Sequence, residues 1–427
     1  MVTTPAIYYA IATQIAAVLP SNTPAGTALV TVTYGGATSG TFPIQVVPTA
    51  MGFDGYFGTP NGLGLATNPF TGAEYNYANA IPPGATVVLW GSGLGADPTR
   101  DRIYVPAAFP INNLAQLYIG GVETPIGYQG ASGYPGVNQV NVTIPASAPT
   151  GCNVPVVGVT VAGIPSNFIT LPIGNGPCSD PALGINGTQL QALSEQANVK
   201  VGLLGLSQAT TPAAGGGTQV TQTGFANFQS VNGILYGAAA GSVSVGGCIV
   251  NQSLTGGSIT TTPLDAGSLL LIGPTSDTAL TSLPQGFIPA TGGAFTVNGL
   301  GGKDIGPFTT SIGFPVPLLT WTNQSAAAII VRAAGVAVTW SGGQPGTLVA
   351  ITGTSLGPMS TDGTFTCIQP VEAGQFTVPG YVLEGLPPGD GTLTVTNESN
   401  FRTFTAPGLD YGATVGSVSY QINASYN

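Results

Sequence analysis

Four thiols, Cys152, Cys178, Cys248 and Cys367, are the side chains of this 427-residue chain best suited to covalent chemistry. Four cysteines allow three pairings. None stands in a CxxC spacing and the chain has no histidine, so a zinc site lacks its usual donors. Neighbourhood in the sequence favours Cys152 with Cys178, which flank the end of one β module. That leaves Cys248 with Cys367, joining two C-terminal β regions. Four free buried thiols are the alternative. Disulfides imply an oxidising compartment. The absence of histidine also removes Ser-His-Asp and Cys-His catalysis as usually built.

Carboxylates are the next candidates. Asp97 with Asp101, Asp54 with Glu74, and Glu372 with Glu384 are pairs of the type that hydrolyses glycosides. Acids in such loops more often cap turns or face solvent. Asp97-Pro-Thr-Arg-Asp101 offers oxygen ligands for calcium but falls short of the ligand density of an established loop. Gly91-Ser-Gly-Leu-Gly95 superficially resembles a nucleophile elbow, yet neither helix nor histidine comes after it, so a turn is expected. Lys303 beside Asp304 raises the idea of an isopeptide bond; an ordinary exposed lysine is the simpler expectation. The expectation is therefore no catalytic residue, no metal and no cofactor.

Aromatic residues gather in loops near the same region: Phe53-Asp-Gly-Tyr56-Phe57, Tyr75-Asn-Tyr77 and Tyr104 to Phe109. Tyrosine among Gly and Asn suits adaptable binding surfaces. Tyr56, Phe57, Tyr75, Tyr77 and Tyr104 are thus the candidate ligand-binding residues, with a surface glycan or another cell-surface protein as partner. Packing of a connector against a neighbouring module is the competing explanation. Trp90, Trp321 and Trp340 lie in strand patterns and are expected in cores.

Composition bounds the elements that must position these residues. Only 6 Lys or Arg stand against 16 Asp or Glu, a net charge of −10. The basic residues are too few and too scattered for a phosphate-binding surface, so nucleic acid is not an expected partner. Mean hydropathy is positive at +0.34, and β-branched residues abound, unlike a disordered chain. No stretch reaches the ~20 uninterrupted apolar residues of a membrane-spanning helix. No basic start precedes the Ala6–Pro20 run, so no signal peptide is visible.

Runs such as Ala28-Leu-Val-Thr-Val-Thr-Tyr34, Thr86-Val-Val-Leu-Trp90, Val154-Pro-Val-Val-Gly-Val-Thr-Val161 and Gly391-Thr-Leu-Thr-Val-Thr396 are short, β-branched and bounded by turn residues. One helix is expected over 186–198, with Asn186 and Gln189 forming a capping box. Gly215-Gly-Gly217 reads as a loop or linker. An internal repeat relates Thr13-Gln14-Ile15 to Leu19-Pro20 with Asn138-Gln139-Val140 to Ile144-Pro145, each continuing into two further strands. The first copy has no room for the front half that the second has in Ile81–Val122. The chain is thus expected to open inside a module, with an upstream segment and its signal peptide beyond it.

Pro83-Gly-Ala-Thr-Val-Val-Leu-Trp-Gly-Ser-Gly-Leu-Gly95, Tyr118-Ile-Gly-Gly-Val122 and Asn138-Gln-Val-Asn-Val-Thr-Ile-Pro145 resemble an IPT/TIG-type immunoglobulin-like module. They are most similar to C-terminal modules of acidobacterial surface and secreted proteins, as are the segments around Cys152 and Cys178. The resemblance covers residues 1–175 and is weaker over 185–427. It implies an extracellular or bacterial cell-surface setting and supplies no catalytic residues. The expected fold is all-β: tandem immunoglobulin-like β-sandwiches with one short connecting helix. The expected units are a partial module (1–49), a connector (50–80), a sandwich (81–174), a helical connector (175–217), a β domain (218–313) and a C-terminal sandwich (314–427). The expected role is structural, adhesive or spacer-like, with glycan binding second and a two-carboxylate glycosidase a distant third. Residues 1–49 present an apolar face that needs cover, from residues 81–174 or by self-association.

Overall fold

The computed structural model describes residues 2–58, 62–97, 101, 109–179, 184–233, 243–253, 261–357 and 362–427. The chain is all-β. Two short α-helices, Gly187–Ser194 and Gly380–Leu383, stand among many strands in the described residues.

Residues 50–178 enclose one core between two sheets. One sheet orders Phe109–Pro110, Ile126–Ala131, Asn138–Thr143, Thr86–Ser92 and Gly52–Phe53; Ala66–Thr67 also pairs with Thr86–Ser92. The other orders Val122–Glu123, Leu114–Ile119, Gly151–Thr160, Ile169–Ile173 and Gly62–Leu63. Alternate residues point to one face of a strand. Val87, Leu89, Val140 and Val142 accordingly meet Leu117, Ile119, Val154 and Val156 in the core.

Residues 50–80 are not a free connector. Three of their short strands join the edges of both sheets, and Met51, Phe53 and Tyr75 enter the core. Glycine makes this close approach possible. A Cβ on Gly91 would lie 2.3 Å from the carbonyl oxygen of Gly52, and one on Gly64 would lie 2.3 Å from the Ile169 side chain.

The helix begins as its capping box requires: Asn186 Oδ1 accepts from the Gln189 N–H, and Gln189 Oε1 accepts from the Asn186 N–H. It ends at Ser194, four residues short of 198, so Ala197 lies outside it. The segment after the helix is no linker. Val199–Pro212 and Thr218–Val231 form a long antiparallel hairpin around Gly215–Gly217. Val199–Pro212 also runs parallel to Tyr411–Tyr426, the last strand of the chain.

That parallel pairing overturns the boundaries expected at 217/218 and 313/314. A single ten-stranded sheet draws on Val199–Pro212, Thr218–Val231, Cys248–Ser253, Leu348–Leu356, Asp362–Pro370, Gly389–Glu398 and Tyr411–Tyr426. Two smaller sheets pack against it over separate cores. The sheet of Leu319–Trp321, Val336–Gly342 and Gln375–Val378 contributes Trp321, Trp340, Val338 and Val378 to one core with Val349, Ile351, Phe365 and Val395. The sheet of Asp277–Ala279, Leu269–Ile272, Phe295–Gly299 and Phe308–Ile312 contributes Leu271, Val297 and Phe308 to another with Leu204 and Leu206. Local patterns carry no sign of pairing between strands so distant in sequence. The described residues Val243–Val245 are loop and turn, although Gly241-Ser-Val-Ser-Val245 has the alternation of a strand.

Among the described residues, 2–49 form only two-stranded pairings: Ala6–Ala10 with Ile15–Val18, Gly26–Val30 with Phe42–Val46, and Thr33–Tyr34 with Ala37–Thr38. Ile7, Ile11, Leu29 and Phe42 are all at least 60 % exposed. Ser21 donates to both oxygens of Asp101, from its N–H at 2.7 Å and its hydroxyl at 2.8 Å. Those bonds, with half-buried Val18 lying against Gly136, tether the segment to the first body but leave most of its apolar face uncovered, so the docking expected on residues 81–174 is only partial.

Candidate functional site

Both expected disulfides are present, Cys152–Cys178 and Cys248–Cys367, and the described residues include no free cysteine. Cys248 and Cys367 sit directly opposite one another on paired strands. The first bridge organises the aromatic loops. Tyr77 is fully buried with Cys152, Cys178, Leu63 and Leu190, and Tyr56 and Phe57 pack half-buried against that cluster. The Tyr56 and Phe57 rings meet edge to face at 4.9 Å. The Tyr77 N–H donates to Gln191 Oε1 on the helix at 3.2 Å, and the Cys178 N–H donates to the Tyr77 carbonyl at 2.9 Å. Burial holds the Tyr77 hydroxyl far above its ordinary pKa.

The aromatic-loop expectation fails for two residues. Tyr75 is 8 % exposed in the main core and Tyr77 is 0 % exposed, so neither can meet a ligand at the surface. Both lie where the chain crosses from one sheet to the other, and burying a large ring there outweighs exposing it. Tyr104 lies outside the described residues.

An aromatic surface exists elsewhere. Trp90, expected in a core, is half-buried on the outer face of its sheet. Its ring meets Tyr134 edge to face at 6.0 Å, and Tyr134 is 61 % exposed. The indole N–H donates to Thr67 Oγ1 at 2.9 Å, which fixes the ring plane. Trp90 pairs with Gln139, and Asn141 pairs with both Val88 and Tyr128, so these amides share the outer face. The Asn141 side-chain oxygen is itself buried and has no hydrogen-bond partner among the described residues. The sequence hid this surface because Val87-Val88-Leu89-Trp90 is apolar on both faces. Alternation alone could not say which way the indole points. Trp321 and Trp340 are buried, and the Trp340 N–H donates to the Val371 carbonyl at 2.7 Å.

The carboxylates take supporting places. Glu372 accepts the Gly346 N–H, and that bond lowers its pKa. Asp101 holds Ser21, and Asp265 is held low first by the N–H of Gly267, then by that of Lys303. Asp54 and Glu74 are both exposed at the surface, and partial desolvation raises the Asp54 pKa. Most of Asp97–Asp101 lies outside the described residues. A cleft of about 510 Å³ beside Leu114, Gln116, Glu123, Ile126 and Gln129 offers a single carboxylate. The Gln129 amide is already bonded to the Leu114 N–H and carbonyl, at 2.7 and 2.9 Å.

The junction between the two bodies is the most heavily built surface. All ten residues of Gly151–Thr160 are buried. One face of this strand fills the first core, and the other meets the second body. Val157 and Phe168 join the core of Trp321 and Trp340. The Asn153 N–H donates to Ser244 Oγ at 3.0 Å, and the Ser244 N–H returns a bond to the Asn153 carbonyl at 2.9 Å. Tyr118 stacks on Tyr381 with centroids 4.1 Å apart and planes 11° from parallel. Burial, then Tyr118, raises the Tyr381 pKa to about 12. Burial, then Glu123, raises Tyr118.

No family model and no curated protein matches the sequence. Solved structures align over most of the chain. A chain from a 1.5-MDa bacterial ice-binding adhesin is 14 % identical, covers 89 % of this chain and 98 % of its own, and has a TM-score of 0.15. A protein of the Bacteroides ovatus mixed-linkage glucan utilization locus, bound to a heptasaccharide, is 11 % identical, with coverages of 88 % and 97 % and a TM-score of 0.16. A tetra-tandem repeat from the extending region of a large adhesion protein is 11 % identical, with coverages of 90 % and 94 % and a TM-score of 0.17. At these scores the folds do not superpose as wholes. No helix among the described residues is long and apolar enough to cross a membrane.

Proposed function

We propose that this chain is a noncatalytic extracellular β protein that acts as a structural, adhesive or spacer element, with residues 50–178 forming an immunoglobulin-like module of the IPT/TIG kind. The junction supports this reading above all. A strand buried on both faces joins two bodies into one unit, which suits holding distance or tension rather than closing on a substrate. The two disulfides support an extracellular setting.

Loss of the stacked pair tests the junction. Tyr118→Ala with Tyr381→Ala should loosen it by about 1–3 kcal/mol, from lost ring burial plus the stacking contribution. Faster amide exchange at 153–157 and 244–249, with both cores intact, is the expected readout. The junction should also respond to alkali. A tyrosine raised in the folded state stabilises fully below its unfolded pKa of ~10 and loses that contribution as pH rises toward the folded value. For Tyr381 that window ends at about 12. The opening free energy at the junction, taken from exchange rates divided by the intrinsic base-catalysed rate at each pH, should be steady from pH 6 to pH 9 and fall above about 10; a fall already at pH 8 would contradict the assignment.

A second reading, glycan binding, is favoured by one observation: the fixed Trp90 ring beside exposed Tyr134, with Gln139 on the same face. An aromatic face and a side-chain amide together suit the apolar and hydroxyl faces of a sugar ring. Trp90→Ala or Tyr134→Ala should weaken binding to a β-glucan about tenfold or more, taking ~1–3 kcal/mol for a lost aromatic platform. Binding unaffected by either substitution would remove this reading.

A further inference from the structure

Tyr134 is 61 % exposed on a loop whose main chain is closed on itself. Ser132, fully buried, holds that loop from inside. Its Oγ accepts the Tyr134 N–H at 3.0 Å and donates to the Val137 carbonyl at 2.8 Å. The Ser132 N–H donates to the same carbonyl at 3.0 Å, and the Val137 N–H donates to the Tyr134 carbonyl at 3.3 Å. The Trp90 indole is held by Thr67. Both aromatic residues are therefore set before a ligand arrives, which lowers the entropy lost on binding.

The two rings do not share a plane. They are inclined by 68° with centroids 6.0 Å apart, so a flat surface resting on one stands away from the other. They form a corner instead. Gln139 lies beside it, paired with Trp90 on one strand and with Gly130 on the next. Its side chain is half-buried, and among the described residues its amide has no hydrogen-bond partner. Tyr128 borders the far side. A Cβ on Gly130 would lie 2.7 Å from the Tyr128 hydroxyl, which donates to the Ala131 carbonyl at 2.9 Å. An amide with unused donors and acceptor thus stands between aromatic walls.

On the glycan-binding reading, on which this inference rests, we propose that the corner takes a single ring of a soluble β-glucan chain and does not dock the flat face of an ordered polysaccharide. The sugar ring stacks on Tyr134, the more exposed of the two, and its edge meets the Trp90 indole. The Gln139 amide bonds its hydroxyls. β-Linked glucose fits this division, because its equatorial hydroxyls leave both broad faces of the ring as C–H and place the polar groups on the rim. An ordered array of chains would need coplanar aromatic rings.

Calorimetric titration of the full chain with cello- and laminari-oligosaccharides of two and six rings, beside pull-downs on insoluble cellulose and curdlan, tests this. Within the series that binds, the two lengths should differ by no more than about threefold, the ratio of rings they offer. The insoluble polymers should retain no protein. Tyr134→Ala and Gln139→Ala should each weaken binding about tenfold, whereas Tyr134→Phe, which keeps the ring, should bind as the parent does. Tryptophan emission should shift on binding in the parent and not in Trp90→Phe, because Trp321 and Trp340 are buried. Unchanged amide exchange at 117–119 and 154–156 serves as the folding control. Affinity that climbs about tenfold or more from two rings to six, or retention on the insoluble polymers alone, would overturn this inference and leave the glycan reading standing. Absence of binding to all of these sugars would remove both.

Discussion

Tyr77→Ala should lower the stability of the first body by about 3–5 kcal/mol, the usual cost of deleting a large buried ring. The phenol ring fills the space between Leu63, Leu190 and the Cys152–Cys178 bridge, and no solvent reaches it. Its loss should also loosen the helix, because the ring shares a buried cluster with Leu190 on the helix. Amide exchange across Gly187–Ser194 should therefore accelerate together with a lower urea midpoint. Tyr34→Ala is the control. Tyr34 is 89 % exposed, so its removal should stay within about 0.5 kcal/mol of the parent. Equal effects of the two substitutions would show that Tyr77 faces solvent after all.

Cys248→Ala with Cys367→Ala should cost about 4–5 kcal/mol, against about 3–4 for Cys152→Ala with Cys178→Ala, in the chain-entropy model. The order reflects the loops closed, 119 residues against 26. The Cys248 bridge has a further task. Among the described residues, Cys248–Ser253 is an edge strand paired only to Asp362–Pro370. The loop before it carries Ser244 and hence part of the junction. Loss of this bridge should expose both the edge and the junction, and guanidinium unfolding of the two double variants beside the parent should show the larger drop for this pair. The reverse order would mean that the unfolded chain keeps residues 248 and 367 close without the bond.

Local signals carry the parts of the fold that are local. The Asn186–Gln189 capping box is readable because its two bonds span three residues. The Cys152–Cys178 pairing is readable because both thiols close the same module. Long-range pairing leaves no such trace. Nothing near Val199 indicates that it runs beside Tyr411–Tyr426, because parallel partners share no turn. Gly215–Gly217 therefore reads equally as a loop or a linker, and the structure makes it the loop at a hairpin tip. The aromatic loops mislead for a different reason. Tyr among Gly and Asn has the composition of a binding loop, yet glycines at 64 and 91 let the chain press onto the sheets and bury Tyr75 and Tyr77. The Trp90 face needs the register with Gln139, which no local pattern supplies.

The spacer role requires residues 50–178 and 199–427 to move as one rigid unit. Spin labels at Thr143 and Thr377, one exposed strand position in each body, read that directly through their distance distribution. One narrow population is expected, unchanged between low and moderate ionic strength and broadened by Tyr118→Ala with Tyr381→Ala. A broad or multi-peaked distribution in the parent chain would show two bodies hinged at Gly151–Thr160, and would contradict the spacer role.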